Sequence, residues 1–524
     1  MISIPDTFNV ASYFVDRHVL EGRGANVAIE CESGRITYTQ LLERTNRAGN
    51  ALQNLGVRME ERVALLLPDV PEFLYSFFGA IKIGAVAVPL NTYLKAEEYQ
   101  YLLDNTRARV AIVHNTLVST LDSIPKLNLR HLEQIVVVGG EGSRAGLERL
   151  MENSSPQLAA APTGKDDAAF WLYSSGSTGA SKACIHLHHD MVVCSELYAK
   201  GILQIGDRDR CYSVARLFFA YGLGNAGYFP LSCGATTILS SPRPDVASIY
   251  ANIERYRPSL FFSVPSNYVA LLAHRQPDGR EFDLSSIRQA VSAGESLPAA
   301  VFERFKERFG IEILDGLGST ETLQMVISNT PRQARPGSTG KVIPGYEARL
   351  VDENGGDVAP GEIGALLIKG DSTCAGYWNQ HEKTKATFAG DWFRTGDKYY
   401  QDEDGYFWYA GRSDDLFKVN GRWLSPAEVE AALIAHPAVQ EAAVIAREDG
   451  SRLTKPVAYV VLNDQFAPDE KLARDLQQWV VDRLGAYKRP RWIEFLPELP
   501  KTATGKLQRF KLREWQAGKR SEHE

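Results

Sequence analysis

Residues 168–182 read AAFWLYSSGSTGASK, an apolar run followed by a loop of small and hydroxylated residues that ends in lysine. The run reads as a buried strand, and the loop is suited to phosphate. Its glycines let backbone N–H groups converge, its hydroxyls add donors, and Lys182 supplies charge. The spacing does not match G-x-x-x-x-G-K-[ST], so this is not a Walker A loop. On either side the chain keeps one rhythm. VALLL from Val63 reads as a strand, PEFLYSFFGAIKIG from Pro71 as a helix with proline near its start, and AVAVPL from Ala85 as the next strand. RVAIVH, QIVVVGG and LFFSVP continue the series. Such β-α-β alternation predicts an α/β protein with mostly parallel sheets. From Tyr346 to Gly370 the helices drop out. YEARLVD and IGALLIKG, joined by ENGGDVAPGE, read as antiparallel strands of a small barrel-like part.

A boundary is expected near Gly411-Arg412-Ser413-Asp414, giving a large domain over 1–412 and a small α+β domain over 413–524. Two domains also suit 524 residues, more than one core usually serves. The formal charge, 58 basic against 64 acidic residues, is -6, which argues against a nucleic-acid binder. Six cysteines, at 31, 184, 194, 211, 233 and 374, form no C-x-x-C pair. They read as reduced thiols of a cytoplasmic protein. No basic patch precedes an apolar run at the N-terminus, so no signal peptide is expected. Lys82 and two glycines interrupt the most apolar stretch, Phe73 to Leu90, which fits a buried helix and strand better than a membrane span.

The loop YSSGSTGASK resembles the phosphate loop of the acyl-adenylate-forming superfamily, which includes acyl-CoA synthetases, adenylation domains and luciferases. Ser181 stands where that loop usually has proline, and Ala183 where it ends in glycine. Further motifs follow in the family's order: DGLGSTE at 315–321, WFRTGD at 392–397, GRSDD at 411–415 and PKTATGK at 500–506. The resemblance implies that Ser174, Ser175, Gly176, Ser177, Thr178, Gly179 and Lys182 cradle the phosphates of ATP. It places Asp315 and Gly316 beside adenine, Thr320 on a phosphate, and Glu321 on Mg²⁺. It implies that Asp397 accepts the ribose hydroxyls, that Arg412 joins the ribose or phosphate contacts, and that Asp414 is the hinge of a mobile C-terminal domain. Lys506 would bridge the substrate carboxylate and the α-phosphate. Gly421 and Trp423 would flank the tunnel for the pantetheine arm of coenzyme A.

LFFAYGLGN at 217–225 resembles the aryl-binding segment of benzoate-type CoA ligases. There Phe219, Ala220 and Tyr221 would line a flat slot, walled by Ala293 and Gly294 of AVSAGESLP and bordered by Gly318, Gln324 and Met325. Rings pack well against rings in such a slot. Gln324 stands where benzoate ligases tend to have histidine, which suggests a substituted benzoate such as 2-aminobenzoate or a hydroxybenzoate. The expected activity is ATP-dependent conversion of an aryl acid to aryl-AMP and then aryl-CoA. A stand-alone enzyme that loads an aryl group onto a carrier protein shares the same motifs and stays open, as does monomer against homodimer. CIHLHHD at 184–190 could suggest a metal cluster, but His188 and His189 on a strand end would face opposite ways.

Overall fold

A computed structural model describes residues 2–140, 144–174, 181–276, 278–412, 415–419, 422–449, 453–501 and 507–521, with the backbone alone for Trp423 and 517–521. Two sheets dominate the first four hundred residues. One has six strands in the order Gln134–Val138, Val110–His114, Arg62–Leu66, Val86–Pro89, Ala168–Ser174 and Lys182–Leu187. Its first five strands are parallel, and the sixth folds back antiparallel on the fifth. The other has nine strands and a parallel centre, running from Ile313–Gly318 through Gln289–Ala293, Leu260–Ser263, Arg210–Ser213 and Thr236–Ile238 to Val27–Cys31. Strands buried on both faces account for the near-continuous apolar runs in the sequence.

The apolar stretch from Phe73 divides as its composition suggests. Pro71 opens the helix Pro71–Lys82, with Glu72 in its first turn, and every residue except Glu72 is buried. Lys82 is buried too, and its ammonium lies 2.7 Å from both Asp16 Oδ1 and Asn46 Oδ1. Its charge is therefore paired inside the core rather than exposed. Helix Tyr38–Asn54 crosses this helix closely at Gly49 and Gly79, where a Cβ on Gly79 would stand 2.9 Å from the Gly49 nitrogen. Among the described residues, no helix is long and apolar enough to cross a membrane, and all six cysteines are free thiols.

The strands Glu347–Val351 and Gly364–Lys369 pair antiparallel, and Trp392–Gln401 and Phe407–Arg412 extend the same small sheet. Beyond it lies a compact unit with its own core, including Val429, Leu433, Val444, Val460, Leu476 and Val480. Strands Val439–Glu448 and Thr454–Leu462 pair antiparallel, Trp492–Phe495 joins in parallel, and helices Pro426–Ile434 and Glu470–Leu484 pack against them. Polar contacts dock this unit on the rest. Arg304 donates to the Ile434 carbonyl at 3.2 Å, at the end of a helix whose last carbonyls need donors. The Leu507 amide donates to Glu295 Oε1 at 3.1 Å.

Candidate active site

Ser174 ends one strand and Lys182 begins the next, and the two are paired across the ladder. Ser175, Gly176, Ser177, Thr178 and Gly179 lie outside the described residues. The register aims Lys182 at Glu321, with Nζ 2.7 Å from Oε1. Tyr377 completes the cluster: it accepts from Lys182 Nζ at 2.7 Å and donates to Glu321 Oε1 at 2.8 Å. Burial pushes the Glu321 carboxyl up, but the Lys182 charge and the hydrogen bonds from Lys182 and Tyr377 outweigh it and hold the acid below its ordinary value. Burial, then the Glu321 carboxylate, drive the Tyr377 phenol well up, so it keeps its proton as a donor.

Glu321 sits in a turn between the antiparallel strands Ile313–Gly318 and Met325–Ser328. Backbone carbonyls there lack ladder partners and must find donors elsewhere. Cys374 N–H donates to the Glu321 carbonyl at 2.7 Å, and Ser372 Oγ to the Thr322 carbonyl at 2.9 Å. Ser319 and Thr322 close the turn on itself, with Ser319 N–H donating to Thr322 Oγ1 at 3.1 Å. Thr320 is half-buried beside them. Leu323, fully buried, takes φ +67°, a left-handed conformation that costs a branched residue about 1–2 kcal/mol. Surrounding contacts hold that strain directly behind Glu321.

Asp315, on the strand leading to this turn, is buried, and burial pushes its acid well above the carboxylate range. Its Oδ2 accepts from the Leu297 N–H at 3.4 Å, and its backbone carbonyl accepts from Asn329. Gly316 follows in the same strand, where a Cβ would meet the Ile327 carbonyl at 3.1 Å. Asp397 pairs in register with Arg412, whose guanidinium lies 3.2 Å from Asp397 Oδ1. Asp414, Gly421 and Lys506 lie outside the described residues. Trp423 is placed by its backbone, paired with Lys418 in a short hairpin.

The segment expected to bind a ring starts at Phe219 and turns into the short helix Ala220–Leu223. Tyr221 is anchored below, its hydroxyl 3.1 Å from the Ser263 carbonyl and 3.3 Å from that of Val291. Gln324 joins this segment to the turn. Its Nε2 lies 3.1 Å from the Tyr221 carbonyl, 3.4 Å from that of Ala220 and 3.4 Å from Asn225 Oδ1. A Cβ on Gly224 would fall 2.2 Å from Gln324 Nε2, so a larger residue there would displace this amide from its partners. Gly318 pairs with Met325 across the turn. Ala293 ends the strand Gln289–Ala293, and Gly294 follows it.

Two groups that set this geometry, Tyr377 and Asp69, carry no mark in the sequence. Tyr377 stands 195 positions from Lys182. Asp69 accepts from the Leu217 N–H at 3.0 Å and pairs with buried Arg216 at 3.3 Å, fixing the start of the segment 217–225. His186 reaches the Thr320 carbonyl at 2.8 Å. The histidine segment also differs from expectation: the strand ends at Leu187, so His188 and His189 occupy a turn. His188 is buried, accepts from the Val10 N–H at 3.1 Å, and is pushed down by that burial to about 4. Among the described residues, no three His, Cys, Asp or Glu side chains group as a metal site.

Residues 16–378 match the family of AMP-binding enzymes, and residues 428–506 match the AMP-binding enzyme C-terminal domain. A benzoate–CoA ligase of Thauera aromatica is 46% identical over 98% of this chain and 97% of its own length. An anthranilate CoA ligase solved with anthranoyl-AMP superposes with a TM-score of 0.95 at 42% identity, covering 99% of each chain. A benzoate CoA ligase from Burkholderia xenovorans superposes at 0.89 with 44% identity, over 97% of this chain and 100% of that one.

Proposed function

From the premise that this chain belongs to the AMP-binding enzyme family and is an AMP-forming acid–CoA ligase of the benzoate type, we propose how its residues divide the work. The reaction uses an aryl acid, ATP and coenzyme A. A carboxylate oxygen of the acid attacks the α-phosphorus of ATP, the bond to the β-phosphate breaks, and pyrophosphate leaves. The thiol sulfur of coenzyme A then attacks the acyl carbon, and AMP departs. Neither step needs a protein nucleophile, so the protein's task is to position groups and stabilise charge.

The observation that carries the site assignment is the Lys182–Tyr377–Glu321 cluster. It holds a buried carboxylate in its ionised form beside Lys182, the residue that follows the Ser/Gly/Thr stretch in the sequence. An ionised oxygen donor suits Mg²⁺, which takes one or two carboxylates, phosphate oxygens and waters. Bound at Glu321, Mg²⁺ would offset charge on the triphosphate. Lys182 would leave Glu321 for the phosphates alongside Ser174–Gly179, and Thr320 would add a hydroxyl. Asp397 would take the ribose hydroxyls with Arg412 beside it, and the backbone from Asp315 to Gly316 would flank adenine. Lys506 would bridge carboxylate and α-phosphate. Residues 413–524 would act as a separate domain hinged at Asp414, with Gly421 and Trp423 along the pantetheine path.

Phe219, Ala220, Tyr221, Ala293, Gly294, Gly318, Gln324 and Met325 would enclose the ring. The donors of Gln324 face the Ala220 and Tyr221 carbonyls and Asn225, while among the described residues Oε1 accepts from the Met325 N–H alone, at 3.2 Å. One acceptor position therefore remains for a ring substituent that donates, an amino or hydroxyl group. The test is ATP- and CoA-dependent thioester formation with benzoate, 2-aminobenzoate, hydroxybenzoates, a fatty acid and an amino acid. Aryl acids should lead, with donor-substituted benzoates ahead of benzoate. Turnover of the fatty or amino acid alone would overturn the pocket assignment.

A further inference from the structure

The histidine at position 186 has no place in the chemistry above, yet it touches that chemistry's frame. It lies in the strand Lys182–Leu187 and is fully buried, its ring stacked on Phe170 at 5.1 Å and 17°. Nε2 is 2.8 Å from the Thr320 carbonyl, and Nδ1 is 2.8 Å from Asp190 Oδ2. Asp190 is itself fully buried, and the same oxygen accepts from the Leu187 N–H at 3.1 Å. A carbonyl has no proton to give, so the ring must donate at Nε2. The Nδ1–Oδ2 contact then holds the ring plane, leaving that donor aimed at one atom.

Lys182 and His186 are four residues apart on one strand, so their side chains leave the same face. One reaches the Glu321 carboxylate and the other the carbonyl of Thr320, the preceding residue. Among the described residues, the other donor to that carbonyl is the strained turn's own Leu323 N–H, at 3.3 Å. A single rigid strand thus sets the position of both the carboxylate and the backbone that carries it.

We propose that His186 is a positioning residue for the adenylation half-reaction, clamping the Thr320–Glu321 turn in the geometry that receives magnesium–ATP. This rests on the assignment of Thr320 and Glu321 to phosphate and metal. His186→Phe keeps the ring and its stacking on Phe170 but removes the donor. His186→Gln keeps a donor of similar reach. With the Phe variant, the Kd for magnesium–ATP on acid-free enzyme, read by calorimetry, should rise about 10-fold, the scale of one lost buried hydrogen bond. The KM for aryl acid and the rate of thioester formation from supplied aryl-adenylate should stay within about 2-fold of the unsubstituted protein, and the Gln variant should recover most of the ATP affinity. A merely structural role would lower the melting temperature and the active fraction while leaving Kd per active site unchanged in both variants, and that result overturns the proposal. The calorimetry requires no aryl acid, so failure of the aryl assignment in the thioester assay is read separately from failure of the clamp.

Discussion

Lys182→Met leaves the lysine stem in place and removes its charge from beside Glu321. The pair is 2.7 Å apart, with side chains 13% and 8% exposed. Removing one member of a buried pair typically destabilises by about 3–5 kcal/mol, because the remaining charge keeps its desolvation penalty. In the unsubstituted protein the Glu321 acid is held below its ordinary value of 4.5. Its contribution to stability is therefore full above that value and is lost as pH falls through the lowered folded value. In the variant the order reverses. Burial, the largest influence on this carboxyl, is then opposed mainly by the Tyr377 hydroxyl, so the acid is raised and ionising it becomes unfavourable as pH climbs past about 4.5. The stability gap between the two proteins should widen from pH 5 to pH 8. Thermal-inactivation half-lives at the two pH values, at fixed ionic strength, measure it for a protein too large to assume reversible unfolding. Adding Glu321→Gln, which removes the carboxylate while keeping its shape, should restore much of the loss at pH 8. A gap of equal size at both pH values, or no rescue by glutamine, would refute the claim that the lysine compensates a buried carboxylate.

Gln324→Ala should lower kcat/KM for amino- and hydroxybenzoates about 10-fold more than for benzoate, one hydrogen bond's worth of discrimination; an unchanged ranking in the thioester assay would show that Gln324 only braces the Ala220–Leu223 helix. Arg304→Ala removes the guanidinium from the Ile434 carbonyl, and pyrophosphate exchange should slow about 3- to 10-fold while thioester formation from supplied aryl-adenylate is unchanged. Lys506→Ala should reduce adenylate formation by at least about 100-fold, the scale for removing one transition-state donor, and spare the thioester step, with pyrophosphate exchange as the readout.

The sheets were legible because their signal is local. An apolar run such as Val63–Leu67 declares itself within five residues, and so does the proline that opens the helix at Pro71. Gly318, Gln324 and Met325 could be grouped from sequence because one tight antiparallel turn contains them. The partners of Lys182, Glu321 and Leu217 could not. Tyr377 sits in a Gly-Tyr-Trp stretch with no periodicity that marks it, and an isolated antiparallel bridge to Cys184 of the Lys182 strand brings its hydroxyl between the ammonium and the carboxylate. Asp69 follows a strand as an ordinary loop acid would, and its meeting with Arg216 depends on two sheets packing together. Asp315 shows the converse limit: its place in the motif was readable, but the burial of its carboxyl depends on the Leu297 segment folding over it.

The same distinction explains why the sequence does not single out His186 among the histidines of CIHLHHD. In CIHLHHD the spacing is identical whatever each ring does. The strand ends at Leu187, and that one boundary separates the roles: His186 stays on the face it shares with Lys182, His188 turns in to receive the Val10 amide, and His189 spans the Lys165 and Asp371 carbonyls at 3.0 Å each. A strand one residue longer would carry His188 on the same face again and leave the Val10 amide without its acceptor. The fold thus selects one histidine for the site through strand length, a property set by the turn chemistry of His188-His189-Asp190 rather than by any feature of the imidazoles.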